Sequence, residues 1–174
     1  MAYIISQIMG VIALIIICMS YFCKDKSKFL IFQIFADFFY AMSYLLIDIY
    51  VAGIITIIST IRCIIFWICD KRNFKYTLWF LPIFILCYIG VTIKFWSGPD
   101  DIVPLITCIL FTIAYILKST QAIRYVTLIP NIMLIVYNIF VSTYSNALLD
   151  LLETIVIIIS IIKFHKLAKA ENKN

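Results

Sequence analysis

Seven apolar stretches follow one another through almost the whole chain, each close to the roughly 20 residues a helix needs to cross a ~30 Å hydrocarbon layer. They run from Ala2 to Cys23, Phe29 to Ile47, Tyr50 to Cys69, Thr77 to Phe95, Ile102 to Leu117, Ile123 to Val141 and Ala147 to Ile162. In lipid a backbone must satisfy its own hydrogen bonds, so the expected fold is all-α, a polytopic membrane bundle of seven transmembrane helices. The chain has 174 residues, 65% of them hydrophobic. Seven spans consume that length and leave only short connections, so any chemistry has to sit inside the bundle. The first run lacks a basic leader and exceeds a signal-peptide core in length, which reads as a mature helix.

Lysine and arginine sort to one side. If the connections are taken alternately, the side with the 24 to 28, 70 to 76 and 118 to 122 turns and the tail carries Lys24, Lys26, Lys28, Lys71, Arg72, Lys75, Lys118, Arg124, Lys163, Lys166, Lys169 and Lys173. The opposite side has Lys94, and Arg62 falls within a span. This asymmetry predicts an N-terminus outside and a C-terminus in the cytoplasm, and it requires an odd number of spans. Six spans, with a short turn at Asp48 unresolved, is the alternative. The net charge of +5 is scattered in clusters between apolar runs, which argues against a nucleic-acid partner and for the lipid bilayer as the partner the chain must have.

Sliding the chain against itself by 94 residues aligns spans 1 to 3 with spans 5 to 7 without a gap. Tyr21 then falls on Tyr115, Lys24 on Lys118, Asp37 on Asn131, Tyr50 on Tyr144, Thr56 on Asp150, Ser59 on Glu153 and Thr60 on Thr154. Polar positions meet polar positions at matched depths, as expected of a duplicated unit. Three spans is an odd number, so span 4 is needed to restore direction, and the two repeats are expected to be parallel. The domain reading is 1–70 for the first three-helix repeat, 71–101 for linker helix 4 with its flanking loops, 102–165 for the second repeat and 166–174 for a cytoplasmic tail.

The 3+1+3 layout resembles, in architecture, the sugar transporters of the SWEET type and the vitamin transporters of the PnuC type. Their Pro-Gln and Trp-x-x-Trp signatures are absent, so no substrate residue carries over. A closer resemblance lies in Met9-Gly-Val-Ile-Ala-Leu through Tyr21-Phe, Lys-Asp-Lys-Ser-Lys, Tyr44-Leu-Leu-Ile-Asp-Ile-Tyr-Val-Ala-Gly and Ser59-Thr-Ile-Arg62. With Asn138-Ile-Phe, Leu151-Leu-Glu-Thr154 and Ile161-Ile-Lys-Phe, these look like the YgjV-type bacterial inner-membrane family. That resemblance implies a multi-pass protein of the bacterial plasma membrane and says little of its chemistry.

Asp or Arg at a span centre costs about 2.5 to 3.5 kcal/mol on insertion scales, so each such residue needs a reason. Asp37 and Arg62 lie at similar depth in spans 2 and 3 and can pair, either as a structural tie between helices or as a pair broken during substrate or proton movement. Gln33, Asp37, Tyr40 and Tyr44, spaced four, three and four apart, share one helix face. Thr127, Asn131 and Asn138 take the equivalent face of span 6. Pro130 disfavours helical geometry at Ile129 and is expected to free carbonyls near the midplane, a feature of transporters that also occurs in ordinary packing. Asp150 and Glu153 in span 7 either reach external water or change protonation with access, which makes them proton-coupling candidates. Together these side chains predict a central polar cleft whose contents are small, polar and hydrogen-bonding, with a preference for cationic groups.

Other chemistries find no support. The cysteines Cys18, Cys23, Cys63, Cys69, Cys87 and Cys108 have no Cys-x-x-Cys spacing and are expected as packing residues, so neither metal nor cofactor is anticipated. His165 lies among tail lysines, and no phosphate-binding loop or nucleophile with a base is present, which argues against an enzyme. Trp67, Trp79 and Trp96 are expected as interfacial anchors. The leading expectation is a small polar solute transporter working by alternating access, and the alternative is a non-transporting receptor, scaffold or accessory subunit of the same fold.

Overall fold

A computed structural model describes residues 2–46, 50–72, 77–96, 98–140 and 144–171. The Asp48 turn, Lys75, Lys173 and the side chains of Tyr50 and Tyr144 lie outside the described residues. Among the described residues seven α-helices follow in order: α1 Ala2–Ser20, α2 Lys26–Leu46, α3 Tyr50–Lys71, α4 Phe80–Lys94, α5 Ile102–Ile116, α6 Thr120–Phe140 and α7 Tyr144–Glu171. The expected all-α architecture is met, and among the described residues there is no strand.

Four helices, α1, α2, α3 and α6, are long and apolar enough to cross a membrane. The apolar helices α4 and α5 have 15 residues each. At 1.5 Å per residue each is about 22 Å long, and the 3-10 turns Thr77–Trp79 and Pro99–Asp101 that lead into them bring each to about 28 Å. Pro82 and Pro104 sit in the first turns of these helices, where the missing N–H has no intrahelical acceptor to lose. Helix α7 runs on past the expected end at Ile162 to Glu171, carrying Lys163, Lys166 and Lys169 beyond the apolar segment.

Side chains are distributed inside out relative to a water-soluble domain. Ile4, Ile8, Val11 and Ile15 of α1, Phe35 and Phe38 of α2, and Ile129, Ile132 and Val136 of α6 are exposed, whereas Ser6, Gln33, Arg62, Thr107, Asn131 and Glu153 are buried. Lipid rewards that distribution, because hydrocarbon covers large apolar groups at no cost and strands polar ones. Small residues then bring backbones together. Ser6 and Ser43 exchange hydroxyl-to-carbonyl bonds at 2.9 Å across α1 and α2, beside Gly10.

Packing follows a closed circuit. Helix α2 lies between α1 and α3, α6 lies between α5 and α7, and the two trios meet where α1 packs on α7 and α3 on α5. Helix α4 leans on α3 and α5. One end of this ring is tied across. Arg124 of α6, 1% exposed, donates from Nε to the Tyr21 carbonyl at 2.9 Å and from Nη2 to the Cys23 carbonyl at 2.6 Å, just past the end of α1. Lys26 at the start of α2 donates to the Ile116 carbonyl at the end of α5 (3.3 Å) and pairs with Asp70 of α3 (3.8 Å). Thr120 at the start of α6 donates to the Lys24 carbonyl at 2.7 Å.

The expected interruption at Pro130 does not occur: α6 is helical through Ile129 and Pro130 from Thr120 to Phe140. Proline forfeits one backbone bond, but breaking the helix would expose several more polar groups to hydrocarbon, at several kcal/mol each.

Candidate functional site

The ring encloses a cavity of about 560 Å³. Gln33, Asp37, Tyr40 and Tyr44 of α2, Arg62 of α3, Asn131 and Asn138 of α6, and Asp150 and Glu153 of α7 all line it, so the structure gathers these candidates around one space. On α2 this follows from spacings of four, three and four, which return each side chain to one face at 3.6 residues per turn. Thr127 is fully buried and donates to the Arg124 carbonyl instead.

Two polar clusters face each other. In the first, Arg62 is 3% exposed; its Nη1 donates to Thr112 Oγ1 of α5 at 3.0 Å and its guanidinium lies 4.9 Å over the Tyr115 ring. Its Nη2 reaches Cys63 Sγ at 3.8 Å, and the Cys63 thiol donates to Asp37 Oδ2 at 3.5 Å. No ion pair joins Asp37 directly to Arg62 among the described residues. The two groups are linked through a thiol, because the neighbouring Cys63 stands between them and Thr112 and Tyr115 draw the guanidinium toward α5.

In the second cluster Glu153, 6% exposed, accepts from Tyr21 Oη at 3.0 Å and from Asn131 Nδ2 at 3.1 Å, both at Oε1. Among the described residues Oε2 has no protein donor. One turn toward the N-terminus of α7, Asp150 Oδ2 accepts from Asn138 Nδ2 at 2.6 Å. Gln33 donates from Nε2 to Ser20 Oγ at 3.0 Å, and among the described residues its buried Oε1 has no partner, nor has Arg62 Nε. Tyr40 and Tyr44 stack with ring centroids 6.4 Å apart and planes 22° apart. Ser59 hydrogen-bonds Tyr88 of α4 at 3.1 Å.

Several site residues escaped sequence reasoning. Tyr115, Tyr137 and Cys108 also line the cavity, and Cys63, first read as packing, carries the Asp37 contact. Tyr21 and Tyr115 were signalled by the 94-residue offset, which sets one on the other. By sequence Arg124 belongs to the basic flanks; its burial depends on where the α1 carbonyls point, which the sequence does not reveal. Trp79 and Trp96 are 73% and 50% exposed, as anchors should be, but Trp67 packs against the core under Lys71.

Exposed apolar faces around a hydrogen-bonded polar interior define a multi-pass helical membrane protein. A family model described as Imp-YgjV, bacterial inner membrane protein, matches residues 4–168, and the chain belongs to that family. No curated protein and no solved structure matches it.

Proposed function

We propose that this protein moves a small polar solute across the inner membrane by alternating access, the two helical trios rocking about the central cavity. The observation that carries this reading is a cavity into which polar side chains of both trios project, which reaches an exposed side chain, in a ring whose trios are tied together by hydrogen bonds at one end. From Gln33 and Ile17 the cavity extends to exposed Asn146, while at the opposite end Arg124, Lys26 and Thr120 tie one trio to the other. Exchanging one trio for the other leaves the circuit of helix contacts unchanged, which supports the duplicated 3+1+3 design, with 1–70 and 102–165 as moving units and α4 as linker. Lys26 and Thr120, which make the reciprocal ties, are themselves 94 positions apart. With the lysine-rich side in the cytoplasm, the Asn146 end faces outward. In this reading Gln33, Asp37, Tyr40, Tyr44, Asn131 and Asn138 contact the solute, Glu153 and Asp150 exchange protons as access changes, and Arg62 holds Asp37.

Uptake by purified protein in proteoliposomes, across a panel of small polar solutes with and without a proton gradient, tests this. Saturable uptake that Glu153→Gln abolishes is the expected result. A panel without flux, together with a stoichiometric protein partner in detergent pull-downs, would establish the receptor or accessory-subunit reading instead.

A further inference from the structure

We propose that the α7 wall of the cavity takes a small organic cation bearing N–H donors and a flat apolar body, an arylalkyl or alkyl ammonium. This names the solute class of the transport reading and rests on it.

Three features converge. First, the cavity is short of positive charge. Asp37, Asp150 and Glu153 line it, and Arg62, the one cation among the described residues that line it, is already engaged with Thr112, Tyr115 and the Cys63–Asp37 link. Asp150 and Glu153, three residues apart on one face of α7, are hydrogen-bonded by neutral amide and phenol groups and pair with no cation among the described residues. An anionic solute would meet two uncompensated carboxylates, whereas a cation balances them. Second, on the side of Gln33 and Glu153 the open hydrogen-bonding capacity is acceptor capacity, whereas the unpartnered buried donor of the lining, Arg62 Nε, belongs to the other cluster. Gln33 is 1% exposed and its Oε1 lacks a donor, and Glu153 Oε2 lacks one too. A ligand with N–H groups supplies what these oxygens need, and a quaternary ammonium does not. Third, Tyr40 and Tyr44 present a stacked aromatic pair in the lining of the same cavity as Glu153 and Asp150. An aromatic face beside an acid attracts the cationic end of a ligand through its quadrupole and covers the apolar end by contact.

Binding is measured on the purified wild-type chain in detergent by titration calorimetry with four probes of similar size: 2-phenylethylammonium, its trimethylated quaternary analogue, the neutral 2-phenylethanol and the anionic 3-phenylpropionate. Saturable binding of 2-phenylethylammonium at least about tenfold tighter than each of the other three is the expected result. Glu153→Gln and Tyr40→Leu should each weaken it about tenfold, and Tyr40→Phe should retain it. Equal or tighter binding of the alcohol or the carboxylate overturns the proposal, and this comparison needs no variant to fold. Cation binding without flux sustains the site while removing the transport reading; uptake of neutral solutes with no cation binding removes the site and leaves transport standing.

Discussion

The two walls of the cavity occupy equivalent places in the ring and are built from different chemistry. On the α2–α3 wall an acid and a base are linked through Cys63, and the base is held further by a hydroxyl and an aromatic face. On the α6–α7 wall the 94-residue offset puts Asn131 where Asp37 stands, Glu153 where Ser59 stands and Val156 where Arg62 stands. There an acid is met by neutral donors from Tyr21 and Asn131. The first wall balances its own charge and works as a structural tie. The second meets its acids with neutral donors alone, and in the proposed transport reading a solute or a proton balances them.

That contrast is most easily broken through stability. Arg62→Gln should destabilise the protein by about 3 kcal/mol, because it removes the charge-assisted bond to Thr112, the contact over Tyr115 and the thiol-bridged link, and Asp37→Asn by somewhat less. Unfolding in detergent measures this, and the double variant should recover part of the loss. Simple additivity would show that the thiol-bridged link carries no coupling, and Cys63→Ala should reduce the coupling if it does. Next in size is Arg124→Gln, which removes charge-assisted bonds to the Tyr21 and Cys23 carbonyls, at about 1.5 to 3 kcal/mol. Hydrogen exchange in the last turn of α1 should rise with it. Ser59→Ala, at the position matching Glu153, loses one neutral hydrogen bond to Tyr88 and should cost about 1 kcal/mol. Glu153→Gln should cost least, under about 1 kcal/mol, because an amide oxygen still accepts from Tyr21 and Asn131. Its effect should fall on uptake instead. Destabilisation by Glu153→Gln as large as that by Arg62→Gln would make the walls alike and remove the basis for giving them different roles.

The fold was legible because lipid leaves few choices: apolar runs of the right length have to be helices, and their ends came out within a few residues of the expected ones except at α7, whose polar extension carries no apolar signal. The inward face of α2 was legible from the spacing of Gln33, Asp37, Tyr40 and Tyr44, since helical period alone decides which side chains share a side. What could not be read were contacts set by the way helices dock. The role of Cys63 depends on its lying between Asp37 and Arg62, and that of Arg124 on reaching carbonyls about a hundred residues away in sequence. The break expected at Pro130 followed from local backbone rules that hold in water; a surrounding without competing hydrogen bonds favours keeping the helix whole.

The tied end of the ring has to part if the two trios alternate. In a chain that keeps the buried Cys63 and has its other cysteines replaced, Lys24→Cys with Thr120→Cys places a thiol pair across that tie, where Thr120 now donates to the Lys24 carbonyl. Flux in proteoliposomes, before oxidation, after it and after reduction, is the decisive measurement. The account predicts that the disulfide stops flux and that reduction restores it. Flux that continues unchanged with the bond quantitatively formed would contradict a mechanism in which the helical trios rock about the cavity.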